Sequence, residues 1–295
     1  MRKSLITRLI AAFGLFLASA TPAFARAPRP ALWAVSDPDT TIYLFGTIHL
    51  LPEKYDWRSA RIDQAIAGSQ QMVVETIIDE KDPTKMMAAL TSLAFSPGLR
   101  PLRERVPADK RAALDGAIAK SGIPRAAFDR TETWAAAFML LGNQFKDMGL
   151  KTGEGVETVL RKRFLTDGKK IGELETNVEQ LAFFDRLSEK AQSDLLLGAI
   201  EAPGDMTKQF GGMLAAWARG DVAAIARSFN RDLAASPELK EALLKRRNAN
   251  WSQWIEQRMA TPGTSFIAVG AGHLAGSDSV IEMLRREGLK VRRIQ

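Results

Sequence analysis

Short β-branched runs mark both ends of the chain, and apolar residues at helical spacing fill most of the middle. Leu32 to Val35 and Thr41 to Phe45 flank the turn SDPDT, which predicts a hairpin. Asp56 is placed to cap a helix over 57–68 with Ile62 and Ile66 facing inward. QMVVET then predicts a strand ending at Glu75, which closes a strand–helix–strand unit. Helices are expected at 83–94, 107–120, 131–148 and 154–167, followed by a strand in KKIGELE at 169–175. Further helices are expected at 177–187, 188–201, 205–219, 221–232 and 237–259. The last opens with Ser236 as cap and Pro237 in first position. SFIAVG predicts a buried strand, 277–287 a helix, and KVRRI a closing strand. The expected class is α/β (α+β), with a central mixed sheet built from both chain ends and a large helical insertion.

The first residues change this picture. Arg2, Lys3 and Arg8 precede an apolar run from Leu9 to Ala20, and Ala23-Phe24-Ala25 is a small-x-small cleavage pattern. Residues 1–25 therefore read as a secretory signal peptide, leaving 26–295 as a single domain in the periplasm or outside the cell. No later run is long enough to span a bilayer, so no stable membrane anchor is expected after cleavage. Without those three cations the formal charge falls from +7 to +4, and the remaining basic runs read as solvated helix faces. Nucleic acid is not an expected partner. The chain has no cysteine, so it has neither disulfides nor a thiolate nucleophile or ligand.

The two histidines carry the sharpest signal. His49 stands in GTIHL and His273 in GAGHL, each after a strand-like run and each in the order Gly-x-x-His-Leu. At average glycine usage two unrelated histidines share that preceding glycine roughly 0.5% of the time. Strands from both ends sharing one sheet would bring them together beyond the strand carboxyl ends, where ligands of open α/β sheets sit. Glu75 ends its own strand there and can bind metal, act as a general base, or be a plain surface residue. Glu154 and Glu157 share a helical face, and strand alternation puts Glu173 and Glu175 on one side. The apolar stripe Leu244, Trp251, Ile255, Met259 has Asn248 at its missing place. With Arg247 it either makes a structural hydrogen bond or reaches into a polar site. Gly270-x-Gly272-x-x-x-Gly276 resembles a dinucleotide turn but lacks the ribose-binding acid after the next strand. No Gly-x-Ser-x-Gly elbow exists.

Together these residues resemble the TraB/GumN family, which includes the TIKI proteases, and its exported GumN-like branch in particular. The resemblance rests on Gly46-Thr-Ile-His49, Gly270-Ala-Gly-His273, Glu75 in VVET, Gly155-Val-Glu157, Leu174-Glu175-Thr176 and Arg247-Asn248, over roughly residues 31 to 295. It implies a fold with paired repeats similar to erythromycin-esterase and ChaN-like proteins. It also implies a divalent-metal site, with manganese or cobalt ahead of zinc or iron. By that resemblance His49 and His273 are ligands and Glu75 a ligand or base, while Glu157, Glu175, Arg247 and Asn248 line or support the site. The implied function is a metal-dependent hydrolase cutting peptides or small molecules. The alternative is a non-catalytic binding protein for metal, haem or peptide.

Overall fold

The computed structural model describes residues 27–52, 54–79, 82–150, 155–200, 203–234 and 236–295. The expected signal peptide and Glu154 lie outside them. Six strands, β1 (Leu32–Ser36), β2 (Thr40–Thr47), β3 (Gln71–Val74), β4 (Lys170–Glu173), β5 (Gly263–Gly270) and β6 (Val291–Arg293), form one mixed sheet in the order β4-β3-β5-β2-β1-β6. The expected hairpin is β1–β2, with Leu32 opposite Phe45 and Asp37 Oδ1 accepting from the Thr40 N–H at 2.7 Å. β2, β5, β3 and β4 run parallel, so their carboxyl ends meet at one edge. β5 inserts between β2 and β3, so the first strand–helix–strand unit skips one position in the sheet.

The helices are α1 (Ala60–Gly68), α2 (Thr84–Leu93), α3 (Arg111–Ser121), α4 (Arg125–Asp129), α5 (Thr133–Asp147), α6 (Val156–Thr166) and α7 (Asn177–Asp185). They continue as α8 (Glu189–Ala199), α9 (Pro203–Ala218), α10 (Val222–Asp232), α11 (Pro237–Lys240), α12 (Arg246–Met259) and α13 (Val280–Arg286). Ser59, not Asp56, caps α1: its side chain accepts from the Ile62 N–H, so the helix begins three residues later than the sequence suggested. Ser236 and Pro237 open α11 as expected, and a π-helical segment, Glu241–Lys245, joins it to α12. β4 ends at Glu173, and the chain then bends so that both Leu174 and Glu175 N–H groups bond to the Glu75 carbonyl (3.2 and 2.9 Å). The expected strand alternation of Glu173 and Glu175 is thereby broken: Glu173 accepts from the Ile77 N–H, while Glu175 enters the site described below.

Strand alternation supplies two buried faces. Phe45, Met72, Val74 and Phe266 pack against α1, α6, α9 and α10 on one face. Ile42, Leu44, Val73, Ile267 and Val269 pack against α12 and α13 on the other. The insertion does not simply cap the sheet: α3, α5 and α8 bury Leu114, Ile118, Leu140 and Leu196 in a cluster of their own. Among the described residues no helix is long and apolar enough to cross a membrane.

Candidate functional site

The parallel strands explain why the site lies where it does. Thr47 pairs with Gly270, and Val74 is flanked by Ala268 and Glu173, so the residues after β2, β3, β4 and β5 emerge side by side. His49 follows β2, Glu75 follows β3, Glu175 follows β4, and His273 lies in a 3-10 turn, Ala271–Leu274, directly after β5. Gly270 is the common floor. A Cβ there would stand 3.2 Å from Glu75 Oε1, 3.6 Å from His273 Cδ2 and 3.6 Å from His49 Nε2. Gly155 allows a second close approach: a Cβ there would fall 2.1 Å from the His49 carbonyl oxygen. That contact lets the Val156 N–H reach the Ile48 carbonyl at 3.1 Å and fixes the first turn of α6 beside His49.

Glu157, in that first turn, accepts from Thr47 Oγ1 and pairs with His49 Nδ1 at 2.7 Å. The adjacent Glu157 carboxylate raises the His49 imidazole to about 9. Desolvation of the ring is the largest opposing effect and Glu157 outweighs it, although 69% of the His49 side-chain surface is open to water. Burial would raise Glu157, but His49 and Thr47 outweigh it and hold the carboxyl below its ordinary range.

His273 has the opposite environment. It is buried, and that burial pushes its imidazole down to about 3, leaving it neutral. Its tautomer follows from its neighbours. Asn248 Nδ2 donates to the Asp278 carbonyl at 2.7 Å, so Asn248 Oδ1 faces His273 Nδ1 at 2.6 Å and must accept from it. Nε2 is left with its lone pair, 3.9 Å from Glu75 Oε1 and 3.4 Å from Arg247 Nη1. Asn248→Leu is expected to cost about 1–3 kcal/mol in urea unfolding, because the buried His273 Nδ1–H and the partly buried Asp278 carbonyl lose their partner. A cost within experimental error would remove Asn248 as the residue that orients His273.

Arg247 ties the carboxylates together. Its Nη2 donates to Glu75 Oε2 at 2.6 Å and Glu175 Oε2 at 2.8 Å, and its Nε reaches Glu175 Oε1 at 3.0 Å. The Gly270 N–H donates to Glu75 Oε1 at 2.7 Å. Burial would raise Glu75, but the surrounding donors and charges hold it down at about 2. His273, Arg247 and His49 are those charges, and of them Arg247 is permanent. Glu175 is pushed up by burial, against Arg247 and Trp251, which favour its ionised form.

The structure brings together His49, Glu75, Glu157, Glu175, Arg247, Asn248 and His273; of the other candidates, Glu173 turns to the Ile77 N–H and Glu154 lies outside the described residues. It adds three residues. Trp251 donates from Nε1 to Glu175 Oε1 at 2.9 Å and packs its ring 4.4 Å from that of His273. Gln180 on α7 donates to Glu75 Oε2 at 3.3 Å, and Thr47 holds Glu157. Trp251 was visible only as a member of the apolar stripe. Gln180 and Thr47 left no sequence signal, because their role depends on which strand ends and helices meet.

Among the described residues no group of three His, Asp or Glu side chains is close enough to hold a metal ion. The donor chemistry nevertheless suits a divalent cation. Two imidazoles have Nδ1 held by Glu157 and Asn248, which turns both Nε2 atoms towards the Glu75 carboxylate, with Arg247 Nη1 within hydrogen-bonding distance (3.4 Å) of His273 Nε2 and to be displaced by an ion there. Binding at His49 would displace a proton, as metal binding to a charged imidazole must.

A mixed α/β protein with paired histidines and a compensated carboxylate pair at the carboxyl edge of its sheet is the class that fold and site define. The chain belongs to the TraB/PrgY/gumN family, which it matches over residues 31–293. It is 25% identical over 249 residues to the uncharacterized protein YbaP of Escherichia coli (strain K12), a match covering 82% of this chain and 87% of that protein. The YbaP protein of Shigella flexneri matches to the same extent. An uncharacterized protein of Treponema pallidum (strain Nichols) is 20% identical over 272 residues, covering 87% of this chain and 80% of that protein. No solved structure matches.

Proposed function

We propose that this chain is a metal-dependent hydrolase acting on peptides, with its site between the two Gly-x-x-His segments. The observation that carries the reading is the convergence of His49 Nε2, Glu75 Oε1 and the His273 ring around the open face of Gly270. His49, His273 and Glu75 would hold the ion, with manganese or cobalt ahead of zinc or iron. When bound, it would supply a water of lowered pKa and polarise a substrate carbonyl. The chain's own residues do the rest. Glu157 and Asn248 fix the two imidazoles. Glu75, ionised at neutral pH, would serve as base towards a bound water where it does not itself ligate the ion. Arg247 places positive charge beside it, where an oxyanion would develop. Glu175 and Trp251 hold the guanidinium in position. Export behind the leader ending at Ala25 would set this activity in the periplasm or outside the cell.

The test is metal content of purified protein by elemental mass spectrometry, after loading with manganese, cobalt or zinc. Wild type is expected to retain about one ion per chain, the His49→Ala/His273→Ala variant none, and Glu75→Gln to lose turnover of a peptide library by about 100-fold or more. Wild type that takes up no metal would sink the reading.

The binding alternative has one observation of its own. Arg247 already compensates both buried carboxylates without an ion, and no metal-holding group is closed among the described residues. Metal or peptide bound without turnover would favour it.

A further inference from the structure

The Arg247 guanidinium occupies the place of a cation. Its Nη2 lies between Glu75 Oε2 at 2.6 Å and Glu175 Oε2 at 2.8 Å, and its Nη1 is 3.4 Å from His273 Nε2. Two carboxylates and an imidazole lone pair are also what a divalent ion takes. The tautomer fixes the direction of the last contact. Asn248 accepts from His273 Nδ1, so Nε2 has only a lone pair to offer and the guanidinium can only donate. Glu75 and His273 are at the same time two of the three residues that converge around Gly270. One carboxylate and one imidazole are therefore shared between two cation positions.

The guanidinium also has a seat that depends on neither of them. Its Nε donates to both Glu175 oxygens, at 3.0 and 3.1 Å. Glu175 is itself anchored, because Trp251 Nε1 donates to its Oε1 at 2.9 Å and its own N–H bonds the Glu75 carbonyl. The guanidinium carbon lies 4.7 Å from the Trp251 ring centre and 5.6 Å from that of Phe183, so two aromatic faces hold the cation. Arg247 is buried, which keeps water from taking over its contacts. Loss of Glu75 and His273 as partners would leave the group paired to Glu175 and free only its Nη donors.

We infer that Arg247 is a built-in competitor of the divalent ion for Glu75 and His273. In the metal-free protein the guanidinium neutralises Glu75 and covers His273 Nε2. Metal loading takes both partners away, and the freed Nη groups become donors for a substrate oxyanion while Glu175 keeps the group in place. The site thus exchanges its metal readily, and its oxyanion donor is armed only when the metal is in. The inference rests on the metal-hydrolase reading for the identity of the second cation. A charge about 4–6 Å away moves proton binding by about 1–3 powers of ten, and a divalent ion feels it no less.

The test measures manganese and zinc dissociation constants, by competition with a chromogenic chelator, for wild type and Arg247→Met, together with urea unfolding at zero and saturating metal. Arg247→Met is expected to bind about 100-fold more tightly than wild type and to regain on saturation the stability it lacks in chelating buffer. A second measurement covers the case in which Arg247→Met does not fold. In nitrogen-15-labelled wild type, zinc should speed solvent exchange of the Arg247 Nη protons while the Nε proton, held by Glu175, stays protected. Arg247→Lys assigns those resonances by their absence. Binding by Arg247→Met no tighter than by wild type, or Nη exchange unchanged at saturating zinc, would overturn the inference and leave the metal site standing. Metal taken by Arg247→Met but not by wild type would support the inference and remove the metal-hydrolase reading. Metal taken by neither would overturn both.

Discussion

Arg247→Met is expected to lower the unfolding free energy by about 3–5 kcal/mol at neutral pH in chelating buffer. Methionine fills much of the same space, so the loss comes from charge rather than volume. Glu75 and Glu175 are both buried, and Arg247 supplies the only permanent cation that either contacts among the described residues. Removing it leaves two carboxylates in a low-dielectric setting with Gly270, Gln180 and Trp251 as their remaining donors. The pH dependence distinguishes this from a packing defect. In the native protein Glu75 titrates below its ordinary 4.5, so its contribution is present above that range and drains away as pH falls towards about 2. Without Arg247, burial governs both carboxyls, their folded-state values rise above the unfolded ones, and acid restores stability by neutralising them. The gap between wild type and variant should therefore narrow steadily from pH 7 to pH 4 in urea titrations. A gap of equal size at both values would mean that Arg247 acts through packing against Trp251 and Phe183 instead.

Gly155→Ala should cost about 3 kcal/mol and disable the site with it. The obstacle is backbone: the new methyl would stand 2.1 Å from the His49 oxygen and 2.6 Å from its carbonyl carbon, neither of which can rotate away. Relief requires α6 to retreat from the loop after β2. That movement breaks the Val156–Ile48 hydrogen bond and separates Glu157 from His49 and Thr47. Gly172→Ala is the control. Its Cβ would meet Val73 Cγ2 at 3.7 Å, an ordinary contact, so stability should change by under about 1 kcal/mol. Equal melting temperatures for Gly155→Ala and wild type would show that the close approach is not maintained in solution.

The sequence by itself made most of the elements legible and singled out seven of the residues that meet at the strand ends. Two histidines after strand-like runs, a glutamate at the end of QMVVE and an asparagine interrupting an apolar stripe were each conspicuous, because a polar group at an apolar period demands a partner. Local spacing also placed the hairpin and the Ser236–Pro237 helix start, since caps and turns act over a few residues. Tertiary structure decided the rest. That Ser59 takes the cap from Asp56 depends on where the chain turns off the sheet. That β5 lies between β2 and β3 is a long-range pairing that no local pattern encodes. Glu173 and Glu175, two residues apart and alike in sequence, part company because the chain bends onto the Glu75 carbonyl after β4. The same holds for protonation. His49 is held charged by Glu157 in an open setting, and His273 is kept neutral by burial and oriented by Asn248. Identical Gly-x-x-His-Leu sentences thus acquire opposite electrostatic characters, because a side chain's charge is set by the dielectric and partners that folding places around it.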